Sequence, residues 1–144
     1  MTTPVTAQER FAIQDLLMAY VWATDTGDHA AYAATFIEDG TLTTSKGERI
    51  TGHHAIEAYS RIASPEAGNR GRQHLFQTIR VHREGAGFRV FSFWQVADMK
   101  AEPRAARIRS MGSCDDLCVP TPDGLRFAER RIAPWNDRDA PWVG

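Results

Sequence analysis

Apolar residues recur every three or four positions along the first part of the chain, which is the spacing of one face of a helix. They are Phe11, Ile13, Leu16, Leu17, Tyr20, Val21 and Ala23. Thr6 followed by Glu9 resembles a capping box, and Gly27 is a typical helix end. The pattern therefore predicts a helix from Thr6 to about Thr26.

The next part of the chain predicts a short helix, a hairpin and a third helix. The short helix runs through Tyr32 to Phe36 behind an Asp28 N-cap, the hairpin strands are 41–44 and 48–51, and the third helix extends from His53 to about Ala63. A loop rich in Ser, Pro, Gly and Asn then runs from Ser64 to Gly71, a composition typical of a mobile connection.

In the second half the apolar pattern changes to that of β-strands. Four strand-like runs, 73–83, 87–99, 104–117 and 125–134, are separated by turn signals. Consecutive long strands form a meander, so the order of elements indicates an α+β fold in which three N-terminal helices pack on a strongly curved, mostly antiparallel sheet. The cavity of such a cone is a natural site for a small molecule.

Composition narrows the class of protein and of partner. With 144 residues the chain is long enough for one domain, 1–144, in which residues 135–144 form a C-terminal tail. A net charge of −1 offers no electrostatic footprint for nucleic acid or an anionic membrane. No apolar run approaches the ~20 residues that span a bilayer, and the N-terminus lacks the features of a signal peptide. We therefore expect a cytoplasmic protein with a small hydrophobic substrate.

The cysteines, Cys114 and Cys118, are expected to be ordinary reduced thiols. Four residues along a strand place both side chains on one face but about 13 Å apart, which is too far for a disulfide. Zinc would need further ligands nearby, and the two aspartates between the cysteines make a poor tetrahedral site. We expect no metal and no other cofactor.

Three ionisable residues fall on segments that otherwise indicate buried core. They are Tyr20 and Asp25 near the end of the first helix, and His74, 49 residues after Asp25, in an apolar strand. Buried titratable groups are costly unless they pair. An aspartate bound to one ring nitrogen of a histidine fixes its tautomer and leaves the other nitrogen to accept a proton. A nearby tyrosine can donate a hydrogen bond to a carbonyl or hydroxyl oxygen.

These groups together suit proton abstraction next to a carbonyl, followed by elimination or isomerisation, without a metal. The alternative is that His74 is a hydrogen-bonding core residue and that Asp25 simply ends the helix. The catalytic interpretation requires Asp25 and His74 to approach within ~2.6–3.2 Å. Tyr20 and Asp25 are displaced by about 140° around a regular helix, so a shared cavity predicts a frayed or bent last turn at Asp25.

Several short segments carry a resemblance that spans nearly the whole chain. They are 13–17 with Tyr20, 25–28, Phe36 with Asp39 and Gly40, 52–56, 72–74 and 125–131. In this order they resemble the SnoaL-like branch of the NTF2-like superfamily, whose fold is a cone-shaped α+β barrel. Within that branch the chain is similar to scytalone dehydratase, bile acid 7α-dehydratase and hexachlorocyclohexane dehydrochlorinase, which share an Asp–His dyad.

The resemblance implies roles for individual residues. Asp25 and His74 match the dyad in order and approximate spacing, and Tyr20 matches the tyrosine of the dehydratases. The dehydrochlorinase has a lysine at that position, which argues against dehydrochlorination. The implied function is a cofactor-independent, dehydratase-like lyase or isomerase that acts on a hydrophobic cyclic hydroxy or carbonyl compound.

Two other functions compete with this one, because the superfamily uses one cone for many tasks. The chain could be a non-catalytic small subunit of an aromatic-ring-hydroxylating dioxygenase, or a module that binds a ligand without turnover. An open sheet face usually pairs with a copy of itself, so a homodimer or homotrimer is expected in every case.

Five residues are candidates for substrate binding. Trp22, Phe76, Phe93 and Met111 are predicted to line the cavity, and Arg130 is predicted to turn inward to bind a substrate carboxylate. A slip of one residue exchanges the lining of a strand with its outer face, so the strand assignments depend on the register.

Overall fold

The computed structural model describes residues 3–64, 71–99 and 106–135, which form three helices and one six-stranded sheet. In chain order the elements are α1 (Ala7–Thr26), α2 (His29–Ala34), β1 (Phe36–Thr43), β2 (Arg49–Thr51), α3 (His53–Ala63), β3 (Arg72–Glu84), β4 (Gly87–Asp98), β5 (Arg107–Thr121) and β6 (Gly124–Pro134). The predicted α+β architecture with three helices is confirmed. Most of the predicted loop after α3, and the tail from residue 136, lie outside the described residues.

α1 begins at a complete capping box. Thr6 Oγ1 accepts the N–H of Glu9 at 3.2 Å, and the Glu9 carboxylate accepts the N–H of Thr6 at 2.8 Å. The same carboxylate binds the Arg83 guanidinium on β3 at 2.7 Å, so the cap also fixes the helix start against the sheet. Gly27 follows the helix at φ 72°, a left-handed conformation that glycine adopts without strain. Across residues 3–64, 71–99 and 106–135, no helix has the length and apolar character needed to cross a membrane.

The boundary between α2 and β1 differs from the prediction. α2 ends at Ala34, and Phe36, predicted to close the helix, begins β1 instead. Phe36 lies opposite Phe127 in a parallel pairing with β6 and is 1% exposed. Because the partner belongs to the last strand, the local pattern around Phe36 does not contain this information.

The strands lie in the order β2-β1-β6-β5-β4-β3. From β3 to β6 each strand pairs antiparallel with the next, which confirms the meander. β1 lies parallel to β6 and antiparallel to β2, so the sheet is mixed at one end. β5 continues past its predicted end at Leu117 because the residues up to Thr121 pair with β6.

Alternate residues of β4 point to the face that the helices cover. Those buried there are Phe88, Val90, Ser92, Trp94 and Val96. On β5 the same face carries Cys114 and Cys118, which are free thiols as predicted. The core lies between this inner face and the helices, with an aromatic cluster at its centre that consists of Tyr20, Tyr32, Phe36, Phe76 and Phe127.

Gly112 on β5 pairs with Trp94 on β4 and has no room for a side chain. A Cβ at this position would press against the carbonyl oxygen of Ala133 and lie 2.6 Å from the Trp94 ring. We expect Gly112→Ala to lower the free energy of unfolding by about 1–3 kcal/mol, as overpacking usually does. Urea denaturation followed by circular dichroism measures this change.

Ser113→Thr is the matched control, because it adds a methyl group on the opposite face of the same strand. It should change the free energy of unfolding by less than about 0.5 kcal/mol. Equal effects of the two substitutions would contradict the close approach of Gly112 to Trp94.

Candidate functional site

A cavity of about 220 Å³ lies between the three helices and the inner face of the sheet. Side chains from α1, α2, α3 and strands β3 to β6 contribute to its wall. The lining residues are Tyr20, Thr24, Tyr32, Ser45, Tyr59, Ser60, Ala63, Ser64, Arg72, His74, Phe76, Trp94, Val96, Arg109, Ser110, Cys114 and Ile132. The wall thus combines aromatic and aliphatic surface with a histidine, three tyrosine hydroxyl groups and two arginines.

Asp25 in the last turn of α1 binds His74 on β3 at two points. Its Oδ2 accepts the backbone N–H of His74 at 2.9 Å, and its Oδ1 lies 2.5 Å from His74 Nδ1. A carboxylate accepts hydrogen bonds only, so Nδ1 carries the proton of this bond. His74 lines the cavity whereas Asp25 does not, which leaves Nε2 as the ring nitrogen for a bound molecule. The predicted contact between the two residues is confirmed.

Tyr20 lines the same cavity from the second half of α1. Its hydroxyl lies 2.8 Å from the hydroxyl of Tyr32, and the residue is 5% exposed. Burial, the largest influence, raises the pKa of Tyr20 to about 12 against the opposing effect of Arg130, and burial also raises the pKa of Tyr32. The Tyr20 phenol therefore remains protonated at neutral pH and can donate a hydrogen bond.

The predicted fraying of α1 at Asp25 is wrong, since the helix continues regularly to Thr26. Tyr20 and Asp25 do diverge by about 140° around the helix axis. They nevertheless meet at one cavity, because Asp25 binds His74, and His74 lines the cavity together with Tyr20.

Two predicted lining residues of the sheet lie on its other face. Phe93 packs against Trp135, with ring centroids 5.7 Å apart, and Met111 is 39% exposed. Their chain neighbours Trp94 and Ser110 line the cavity instead. The prediction therefore assigned each strand face one residue out of phase. The β4–β5 pairing, which sets the register, cannot be read from either strand alone. Phe76, by contrast, lines the cavity as predicted.

Trp22 also lies outside the cavity and is 74% exposed. Two residues turn a helix by about 200°, so Trp22 points away from the side occupied by Tyr20. Thr24, four positions after Tyr20 and on nearly the same side, lines the cavity in its place. This correction follows from helical geometry and was accessible from the sequence.

Arg130 turns inward as predicted, but it binds the protein itself. Its side chain is fully buried, donates to Asp116 Oδ2 at 2.7 Å and contacts Cys114 Sγ at 3.3 Å. The guanidinium carbon lies 4.1 Å from the centre of the Tyr20 ring and 4.6 Å from that of Phe127. Because Arg130 is absent from the cavity wall, the predicted role in binding a substrate carboxylate is wrong.

Sequence reasoning did not single out several residues of the cavity wall. Arg72 could have been predicted to line the cavity, because it lies two positions before His74 and alternate residues of a strand share a face. Tyr59 on α3 and Trp94 on β4 depend on how helix and strand pack, which no local pattern specifies. Arg109 reaches the cavity only because β5 has a register shift against β4 at this point.

The other histidines of this region have structural partners. His53 Nε2 lies 2.7 Å from the carbonyl oxygen of Phe36, and His29 Nδ1 lies 2.9 Å from Ser60 Oγ. Within the part of the chain that the structure describes, no three His, Cys, Asp or Glu side chains cluster as metal ligands would. The ionisable side chains at the cavity therefore include the Asp25–His74 pair, the lining tyrosines and the lining arginines Arg72 and Arg109.

Residues 5–131 match the family model of the SnoaL-like domain. The chain belongs to this family. Three proteins of known structure have a fold similar to that of this SnoaL-like protein. Aln2 from a Streptomyces species is 20% identical, covers 92% of this chain and 94% of its own, and has a TM-score of 0.81. ActVI-ORFA from Streptomyces coelicolor is 20% identical over 92% of this chain and 99% of its own, with a TM-score of 0.79.

A candidate scytalone dehydratase from Novosphingobium aromaticivorans is 20% identical, covers 90% of this chain and 85% of its own, and has a TM-score of 0.73. The predicted family and NTF2-like fold are confirmed. At these identities the structural likeness shows the fold alone. No curated protein matches the SnoaL-like protein.

The buried ion pair of Arg130 and Asp116 lies against the Tyr20 ring and should contribute to the stability of the fold. Burial raises the pKa of Asp116 to about 7, although the Arg130 guanidinium opposes the shift. Arg130→Met would leave this carboxyl without its partner, and we expect the free energy of unfolding to fall by about 3–5 kcal/mol at pH 8. Urea denaturation at pH 5 and pH 8 measures the loss.

The loss should be smaller at pH 5. The pKa of Asp116 is higher in the folded than in the unfolded chain, so the folded state holds more protons between about pH 4 and 7. The contribution of Asp116 to stability therefore falls as the pH rises through this window. Arg130→Met widens the window, because the pKa of Asp116 rises further when the opposing guanidinium is removed. In the double variant with Asp116→Asn the added pH dependence should disappear. An equal cost of Arg130→Met at pH 5 and pH 8 would contradict this account.

Proposed function

We propose that the protein is a cofactor-independent, dehydratase-like lyase or isomerase that acts on a hydrophobic cyclic hydroxy or carbonyl compound. The observation that carries the proposal is the two-point contact between Asp25 and His74, which leaves Nε2 of a cavity-lining histidine to accept a proton. A histidine oriented by a carboxylate is a common general base. Membership of the SnoaL-like family and the fold shared with a candidate scytalone dehydratase support the same reaction class.

In the proposed reaction His74 Nε2 takes a proton from the carbon next to a carbonyl group, and the C–H electron pair forms an enolate. Asp25 stabilises the resulting imidazolium. The Tyr20 hydroxyl donates a hydrogen bond to the enolate oxygen, and Tyr32 can donate to Tyr20 in turn. In dehydration the enolate expels the β-hydroxyl group, which leaves as water with the proton held by His74. In isomerisation His74 returns that proton to another carbon.

The cavity supports a compact cyclic substrate. Its volume of about 220 Å³ lies below the ~300–1,000 Å³ of sites for drug-sized ligands, which favours one or two rings. Phe76, Trp94, Val96 and Ile132 supply apolar surface for such rings. Substrate hydroxyl or carbonyl oxygens would meet the hydroxyl groups of Tyr20 and Tyr59.

His74→Ala tests the proposed base. We expect kcat to fall by a factor on the order of 10²–10⁴, because no other group replaces the proton acceptor. The assay uses a panel of cyclic hydroxy-ketones and related alcohols, and it follows water loss or double-bond migration by mass and absorbance. His82→Ala is the matched control, since His82 lies on the same strand with a side chain 69% exposed. Dialysis against a chelator should leave the rate unchanged.

Turnover by His74→Ala at the parental rate, or loss of activity on chelation, would refute the metal-free dyad. Binding of panel compounds that are recovered unchanged would favour the ligand-binding module instead.

Asp25→Asn tests the orienting role of the carboxylate separately. The asparagine carbonyl can still accept the backbone N–H of His74, which turns its amide N–H₂ toward Nδ1. The ring would then carry its proton on Nε2 and could not accept one from a substrate. We expect kcat to fall by a factor on the order of 10² or more with little change in KM.

Asp28→Asn is the control, because Asp28 caps α2 through the N–H of Ala31 and asparagine caps a helix as well as aspartate does. A rise in KM at constant kcat in Asp25→Asn would show that the contact serves binding or folding and not catalysis.

A further inference from the structure

β5 contains a bulge where it passes the cavity. Val96 on β4 lies opposite Ser110, whereas the next residue, Ala97, lies opposite Ile108, so Arg109 is the extra residue of β5. Successive residues of a regular strand point to opposite faces, yet Arg109 and Ser110 both line the cavity. Bulges commonly redirect a side chain beside a functional site. Here the redirected side chain is a cation.

A second arginine lines the cavity at the same end. Arg72 is the first residue of β3 and lies opposite Asp98, the last residue of β4. It is also two positions before His74 on the same face of the strand, a separation of about 7 Å. Arg72 and His74 thus approach the cavity from neighbouring positions on one strand face.

Two cations surround one carboxylate where β4 ends and β5 begins beside the cavity. The carboxylate of Asp98 lies 3.8 Å from a guanidinium nitrogen of Arg109 and 4.0 Å from one of Arg107. These three side chains carry a net charge of +1. The Asp98–Arg109 contact is longer than a charge-assisted hydrogen bond, and the Arg109 side chain is 48% exposed, so this guanidinium retains donors for another anion.

We propose that Arg109, with Arg72, binds a carboxylate on the substrate and so selects ring compounds that carry an acidic group. This inference rests on the proposed function and specifies its substrate class. A guanidinium presents paired N–H donors that match the two oxygens of a carboxylate. The apolar wall holds the ring, and the anchored carboxylate fixes which carbon faces His74 Nε2.

Isothermal titration with two probes of equal shape tests the preference for an acid. The probes are 2-naphthoate and its neutral amide, 2-naphthamide. We expect the unmodified protein to bind the acid about tenfold or more tightly than the amide, as a hydrogen-bonded charge pair predicts. Arg109→Gln should remove most of this ratio, and Arg109→Lys should retain part of it.

Arg107→Gln is the matched control. It removes the same charge from the same strand and from the same Asp98, but Arg107 does not line the cavity. It should change the acid-to-amide ratio by less than about twofold. His74→Ala should also keep the ratio, because the anion is assigned to the arginines and not to the imidazole. Thermal melts of each variant confirm folding.

Equal binding of the two probes by the unmodified protein would overturn the proposal, and so would failure of both to bind at millimolar concentration. An equal loss of the acid-to-amide ratio in Arg109→Gln and Arg107→Gln would also overturn it. Such a result would indicate long-range electrostatic attraction and not a contact inside the cavity. None of these readouts uses turnover. A protein that fails every activity assay but shows the Arg109-dependent ratio would contradict the proposed function, whereas the assignment of Arg109 as a carboxylate-binding residue would stand.

Discussion

One buried guanidinium group connects the sheet, the first helix and the floor of the cavity. Arg130 on β6 binds Asp116 on β5, contacts Cys114 in the cavity wall and lies over the ring of Tyr20. A charge can be held here because a carboxylate compensates it and aromatic faces surround it. The placement of Tyr20 within the cavity therefore depends on a residue outside the cavity wall. Charge and packing at this point cannot be altered separately.

Asp25 performs the corresponding task at the other end of the site. One carboxylate oxygen binds the main chain of β3 and the other binds the imidazole on that strand. The first bond aligns the end of α1 with the strand, and the second sets the tautomer of His74. The Asp25 side chain thus both holds α1 against β3 and orients the His74 ring. The end of α1 needs no distortion to make these two bonds, because β3 places the backbone N–H and the ring Nδ1–H of His74 beside the Asp25 carboxylate.

The sequence allowed those parts of the site to be predicted that depend on chain order and local geometry. Asp25 and His74 were found because their residue types and separation match a known dyad. Phe93 was misplaced because strand register arises from pairing between distant segments. Trp22 was misplaced for a simpler reason, since its angle around α1 already excluded it. The inward turn of Arg130 was predicted, but its partner could not be, because that contact depends on the β5–β6 pairing.

The bulge at Arg109 means that β5 has two phases. Residues before it and residues after it follow the same alternation of inner and outer faces, but the two alternations are offset by one position. The polarity of that end of the cavity is consequently set by the number of residues in the strand as well as by their identity. Loss of Arg109 would restore a continuous alternation and remove a cation from the wall, with the same strands still paired. In such a fold, a change in chain length of one residue can do what a substitution does elsewhere.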